Sequence, residues 1–148
     1  MFYTVGEMAQ RLGVPPSTLR YYDKEGLLPF VERSSGGIRM FKDADFEWLQ
    51  MIGCLKKTGM RLADIKDFVE MAMQGDETID KRLELIIKQK QSVKRQIDEL
   101  NSTLHTLEFK EWYYETAKQT GTTEHLLHMP SDELPEKFRE IRRKLRGE

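Results

Sequence analysis

The chain has 148 residues, 39% of them hydrophobic, and a formal net charge of −1, which leaves room for one modest core plus an extended element but not for two large domains. No apolar run approaches the ~20 residues that span a bilayer, and no signal peptide precedes the first helical pattern, so a cytoplasmic location without a membrane partner is expected. The single cysteine, Cys54, excludes an intrachain disulfide and is a free thiol in a reducing compartment.

Thr4-Val5-Gly6-Glu7 is a capping box, in which the Thr4 hydroxyl can accept from the Glu7 backbone N–H while the Glu7 carboxylate reaches back to Thr4. Met8 and Leu12 give the helix an apolar stripe, and Gly13 stops it. Pro15 and Pro16 fit only before or inside a first turn, so a second helix starts at once and runs through Lys24 toward Gly26. Leu19 and Tyr22 are placed to face the first helix, leaving Ser17, Thr18, Tyr21 and Lys24 on the outer side with Arg20 at its edge. Hydroxyls, a phenol and cations on one face suit a major groove and its flanking phosphates.

After Pro29 the pattern alternates. Phe30–Arg33 and Ile38–Phe41 flank Ser34-Ser35-Gly36-Gly37, which reads as a β-hairpin with Arg33 and Arg39 on its arms and Lys42 directly after. Between residues 11 and 42 six cations oppose three anions, a local charge of +3 within a nearly neutral chain. Two short helices and a basic hairpin in this order make a winged helix-turn-helix, and a local cationic patch is what phosphate neutralisation requires.

Asp43 and Asp45 lie at the positive end of a third helix reaching about Thr58, with Trp48, Met51, Ile52 and Leu55 as its buried stripe. Leu62, Ile65, Phe68, Val69 and Ala72 mark a fourth, closing near Gln74-Gly75. These complete a DNA-binding head over residues 1–75. From 76 to 116 there is neither Gly nor Pro, and Ile79, Leu83, Ile86, Val93, Ile97, Leu100, Leu104 and Leu107 recur at alternating spacings of three and four, interrupted at Lys90. A helix of about forty residues, roughly 60 Å long, cannot bury such a seam alone. A second copy is the expected partner, in parallel or antiparallel pairing. Residues 117–148 form a tail ending in a short basic amphipathic helix, with Leu134, Phe138, Ile141 and Leu145 on one face and Arg139, Arg142, Arg143, Lys144 and Arg146 elsewhere. The fold class is therefore mainly α: a winged helix-turn-helix head, a long coiled-coil dimerisation helix and a short helical tail.

Residues 2–116 resemble the MerR family of transcriptional regulators. The likeness rests on the capping box, the run Thr18-Leu19-Arg20-Tyr21-Tyr22-Asp23-Lys24-Glu25-Gly26-Leu27-Leu28-Pro29, the wing Gly37-Ile38-Arg39-Met40-Phe41 and the dimerisation helix. Arg61, at a helix start where the family often has a small capping residue, departs from the pattern. The resemblance implies an antiparallel coiled-coil homodimer that binds a pseudo-palindromic operator between promoter elements set too far apart. The activated dimer then bends and untwists that spacer so that RNA polymerase engages both elements. Carried over by position, it assigns DNA contacts to Thr18, Arg20, Tyr21 and Arg39, with Ser17, Lys24 and Arg33 beside them.

The chain has no cysteines where metal-sensing relatives place them, so neither a metal nor another cofactor is expected. The stretch Ile52-Gly53-Cys54-Leu55-Lys56-Lys57-Thr58-Gly59-Met60 resembles the aldehyde- and nitrosative-stress-responsive branch of the family, in which a cysteine at this position is implicated in sensing. Lys57, one turn from Cys54, would make the thiol more nucleophilic, and modification would add bulk at the junction of head and coil. The competing reading is reversible small-molecule binding at the coil interface, with Trp112, Tyr113 and Tyr114 as candidate lining. A second competitor is an interaction module that binds proteins instead of DNA. No Ser/His/Asp, Cys/His or paired-carboxylate arrangement follows from the spacing, so the chain is not expected to be an enzyme.

Overall fold

The computed structural model describes residues 1–148, which form seven α-helices and a small three-stranded sheet. They divide into two compact units, Met1–Val93 and Lys94–Glu148, and the longest helix begins in the first and ends in the second.

The first unit opens with β1 (Phe2–Tyr3), α1 (Val5–Leu12) and α2 (Pro16–Lys24), continues through β2 (Glu32–Arg33) and β3 (Arg39–Lys42), and adds α3 (Asp43–Lys57) and α4 (Leu62–Gln74). The capping box forms as its residue types require, with Glu7 N–H donating to Thr4 Oγ1 at 3.2 Å and Thr4 N–H to Glu7 Oε2 at 2.8 Å. Gly13 closes α1 in the left-handed region at φ 69°. Strand β1 lies outside the expected set, because two residues carry no readable period. It pairs antiparallel with β3, Tyr3 opposite Phe41, and gives the order β1-β3-β2.

Tyr3 also donates its hydroxyl to Asp43 Oδ1 at 2.9 Å, and Arg11 Nη1 reaches the same oxygen at 2.8 Å. The Tyr3 hydrogen bond, then that of Arg11, holds the Asp43 carboxyl below the usual carboxylate range. This lowered pKa makes the tie between β1, α1 and α3 complete above that range, and it is lost as pH falls through the folded value.

Met8, Leu19, Leu27, Leu28, Phe41, Ile52, Ile65 and Val69 are almost wholly buried and form the centre of this unit. Helix α3 buries a different stripe from the expected one: Leu49, Ile52 and Leu55 go inward with Asp45, while Trp48 and Met51 are half-buried. The Asp45 carboxylate accepts the Lys42 N–H at 2.8 Å, and residues four apart share a helix face, so Leu49 follows it inward. Trp48 instead stacks on Phe30 with ring centroids 5.1 Å apart. Arg61 stands at the start of α4 without capping it through its side chain, and pairs with Asp64 at 3.3 Å.

The long helix α5 (Ile79–Thr120) has 42 residues, about 63 Å at ~1.5 Å per residue. Its root is tied to α3 and α4. Arg82 donates to Thr78 Oγ1 at 3.0 Å and to the Gly75 carbonyl at 2.9 Å, while Gln89 reaches the Thr58 carbonyl at 2.8 Å. The seam side chains themselves stand in solvent. Ile79, Leu83, Ile86, Ile97, Leu100, Leu104 and Leu107 are exposed, from 39% at Ile86 to 68% at Leu100, and Val93 is half-buried.

The second unit folds the end of α5 against α6 (Glu124–His128) and α7 (Glu136–Arg146). Phe109, Leu134, Phe138 and Ile141 are buried together, with Trp112, Tyr113 and Met129 packed around them. Two expectations for the tail are corrected here. Leu145 is 52% exposed, and Arg142, placed by pattern on the polar side, is 5% exposed. Arg142 sits four residues after Phe138 on the packed face, where the α5 rings accept its guanidinium. No helix is long and apolar enough to cross a membrane.

Candidate nucleic-acid interface

Pro16 at the first position of α2 begins the helix without a side-chain cap, which leaves first-turn N–H groups at its start. Ser17, Arg20, Tyr21 and Lys24 are exposed along α2, whereas Leu19 and Tyr22 turn into the core as their spacing requires. Burial pushes the Tyr22 phenol above its ordinary pKa. Thr18 is only half-exposed. It lines a groove of about 200 Å3 with Leu12, Val14 and Tyr22 on one side and Cys54 and Lys57 on the other.

The hairpin turn is closed by Gly37 N–H to the Ser34 carbonyl at 2.9 Å, with Gly37 at φ 82°. Behind the turn the basic residues are more constrained than their sequence positions suggest. Arg39 pairs with the Asp23 carboxylate of α2 and donates to the Val31 carbonyl at 3.3 Å, and its side chain is 19% exposed. Arg33 reaches the same carboxylate at 3.6 Å and donates to the Gly37 carbonyl at 3.1 Å, leaving its side chain 52% exposed. One acid of the second helix therefore latches both wing arginines. Arg39 is the stem of that latch, the less exposed of the two wing arginines.

Lys42 is paired with Glu32 across the hairpin at 2.6 Å, which holds its ammonium pKa above the ordinary value, and Arg11 is paired with Asp43. Arg20 and Lys24 make no ion pair within the chain. They are the cations of α2 left for an external anion. Sequence reasoning missed Lys56, whose Nζ lies 5.0 Å from the Tyr21 ring centroid and 5.5 Å from that of Tyr22. The missed signal was a basic last turn of α3, which the fold brings against α2.

Replacing Arg20 by Ala is expected to leave thermal stability unchanged, since nothing in the chain binds it. It should reduce the salt slope of DNA binding by about one unit per bound chain, at ~0.9 per phosphate contact. Fluorescence anisotropy over a salt series measures this, and an unchanged slope would remove Arg20 from the interface.

Cys54 is exposed and lines the groove beside Thr18, with Lys57 on the same wall. Its carbonyl accepts Thr58 N–H at 3.3 Å, and the Thr58 carbonyl is the one gripped by Gln89 of α5. The thiol thus faces the second helix, while its own helical turn carries the root of the long helix. The ring candidates of the coil separate: Trp112 is packed against Phe109 and Phe138, and Tyr113 and Tyr114 line a cleft in the second unit.

Residues 3–72 match the family described as MerR HTH family regulatory protein, and residues 46–108 match that described as MerR, DNA binding. The chain is 48% identical over 122 residues to an uncharacterized HTH-type transcriptional regulator of Haemophilus influenzae, an alignment covering 82% of this chain and 90% of the relative. Among solved structures it is similar to HiNmlR, a MerR family regulator lacking the sensor domain and bound to promoter DNA. That likeness has a TM-score of 0.70 and 48% identity, covering 84% of this chain and 98% of that one. It is also similar to a MerR family regulator from Bacillus thuringiensis, with a TM-score of 0.66 and 40% identity, covering 74% of this chain and 96% of that one.

Proposed function

The chain belongs to the MerR family of DNA-binding transcriptional regulators, and from that premise we propose that it acts as a homodimer on a pseudo-palindromic promoter spacer and changes the spacer's shape in response to a signal. The observation that carries this reading is the pairing of an unlatched cationic helix face, Arg20 and Lys24, with a seam of seven exposed apolar side chains on α5. One half-site is read per head, by Ser17, Thr18, Arg20, Tyr21 and Lys24 with the wing behind them. The seam sets the distance between the two heads. In this division of labour residues 1–75 bind DNA, 76–116 dimerise and 117–148 cap the coil. The DNA-bound relative supports the first part of the reading, and RNA polymerase is the partner served when the spacer is distorted. The relatives are regulators, and the chain is read as one that performs no catalysis.

The signal proposed is an electrophile at Cys54. The thiol sulfur adds to an aldehyde carbon as the carbonyl π pair moves to oxygen, and the thiol proton passes to that oxygen, giving a hemithioacetal. The adduct occupies the groove against Thr18 and Tyr22 and burdens the turn that holds Gln89. Both the second helix and the root of α5 therefore feel it. A second reading has its own observation: the cleft lined by Tyr113 and Tyr114 offers a reversible site in the second unit.

Gel shift with promoter DNA and with random DNA of equal length, at two salt concentrations, tests the promoter reading, and binding with no sequence preference would defeat it. In vitro transcription with and without an aldehyde, for the natural chain and Cys54→Ser, separates the two signals. Induction confined to the natural chain is expected. Equal induction in both proteins would end the thiol reading and favour the reversible site.

A further inference from the structure

Neither family match extends past residue 108, and it is beyond that point that the second unit carries a cleft of about 320 Å3. Phe109, Tyr113 and Tyr114 line it from α5, Leu127 from α6, and Arg142 and Leu145 from α7. Three of these apolar side chains stand largely in water, Tyr114 at 62%, Leu127 at 57% and Leu145 at 52% exposure. Arg142 is the opposite case. It is 5% exposed, and its guanidinium lies 5.9 Å from the ring centroid of Phe109 and 5.8 Å from that of Tyr113.

Arg142 Nη2 donates to the Leu126 carbonyl at 2.6 Å, while its Nε–H is buried with no acceptor. No carboxylate pairs with this cation. A buried N–H without an acceptor is costly, and more so on a charged group. Burial accordingly lowers the arginine's pKa from its usual value. The other charged residues lining the cleft, Lys110 and Arg146, are also cations, and the nearest acid to Arg146 is Glu148 at 3.9 Å.

We propose that this cleft binds a small aromatic carboxylate, its ring held among Tyr113, Tyr114, Leu127 and Leu145 and its carboxylate accepting the Nε–H of Arg142, whose covered side chain turns toward it. The volume is at the lower end of ligand clefts, ~300–1,000 Å3, which suits a one-ring compound. A carboxylate oxygen accepts such an N–H as a charge-assisted hydrogen bond. Three lining cations and no lining acid disfavour a cationic ligand. As a reversible input the site deepens the second reading of the signal given above, and it rests on residues that the head does not use.

The test titrates the natural full-length chain, without DNA, with benzoate and with its neutral isostere benzamide. Heat of binding and the Arg142 Nε–H NMR signal are followed together. Benzoate is expected to bind once per chain and to move that signal downfield, with benzamide at least tenfold weaker. Tyr114→Ala and Leu145→Ala, both at exposed positions, should weaken benzoate severalfold at an unchanged melting temperature. Arg142→Gln also strips the Leu126 carbonyl of its donor and can unfold the tail, so the isostere and the exposed variants decide. Absence of benzoate binding, equal binding of benzamide, an unmoved Nε–H signal at saturation or undiminished binding in both variants would each overturn the site. Because no DNA is present, such a failure leaves the promoter reading standing.

Discussion

Leu100→Asp is expected to convert the protein to a monomer and to remove operator binding without unfolding either unit. Leu100 is the most exposed seam residue, 68% accessible in the single chain, so a carboxylate there costs the isolated chain almost nothing. In a paired coil the same carboxylate is buried without a partner, at about 3–5 kcal/mol for an uncompensated charge, and a two-fold dimer carries two of them. That is a weakening of dimerisation by several powers of ten. The DNA effect follows from geometry, since a monomer keeps one half-site and loses the fixed spacing to the second. Sedimentation should show one chain per particle, and anisotropy should show binding reduced to a weak, salt-labile residue. A variant that sediments as a dimer and binds normally would show that another surface joins the copies.

Asp23→Ala is the second large effect, and two consequences of opposite sign compete in it. Removing an anion beside the DNA-facing helix raises the local positive charge, which favours phosphate contact. It also strips Arg39, a cation 19% exposed, of its carboxylate and releases Arg33 from the same oxygen pair. Hydrogen bonds to charged groups contribute ~1.5–3 kcal/mol when poorly solvated. The latch therefore outweighs one screened surface charge. The expected result is a melting temperature several degrees lower, slightly stronger binding to random DNA and weaker discrimination of the operator. The double variant Asp23→Ala/Arg39→Ala decides the cause, because residues acting as one unit are not additive. Loss of Arg39 should cost much less in the Asp23→Ala background than alone. Additive losses would show that the arginine acts on DNA independently of the latch.

Much of this protein was legible in its sequence because the signals are local. The Thr4 capping box, Pro16 and the Gly13 stop fix their elements through contacts three or four residues apart, and the three-four rhythm of α5 is visible without any partner. The winged helix-turn-helix and the outward placement of Ser17, Arg20, Tyr21 and Lys24 were readable for the same reason. Their exposure follows from the helix period once Leu19 and Tyr22 turn inward. Only the tertiary structure decided which cations remain available. Asp23 and Arg39 lie sixteen residues apart, and Arg142 and Leu126 the same. Composition counts such groups but cannot pair them. Strand β1, the inward turn of Leu49 in place of Trp48, and the burial of Arg142 likewise depend on the chain returning to itself. Periodicity ranks faces by hydrophobicity, whereas a buried charge or a two-residue strand is stabilised by the particular atoms that the fold brings within about 3 Å.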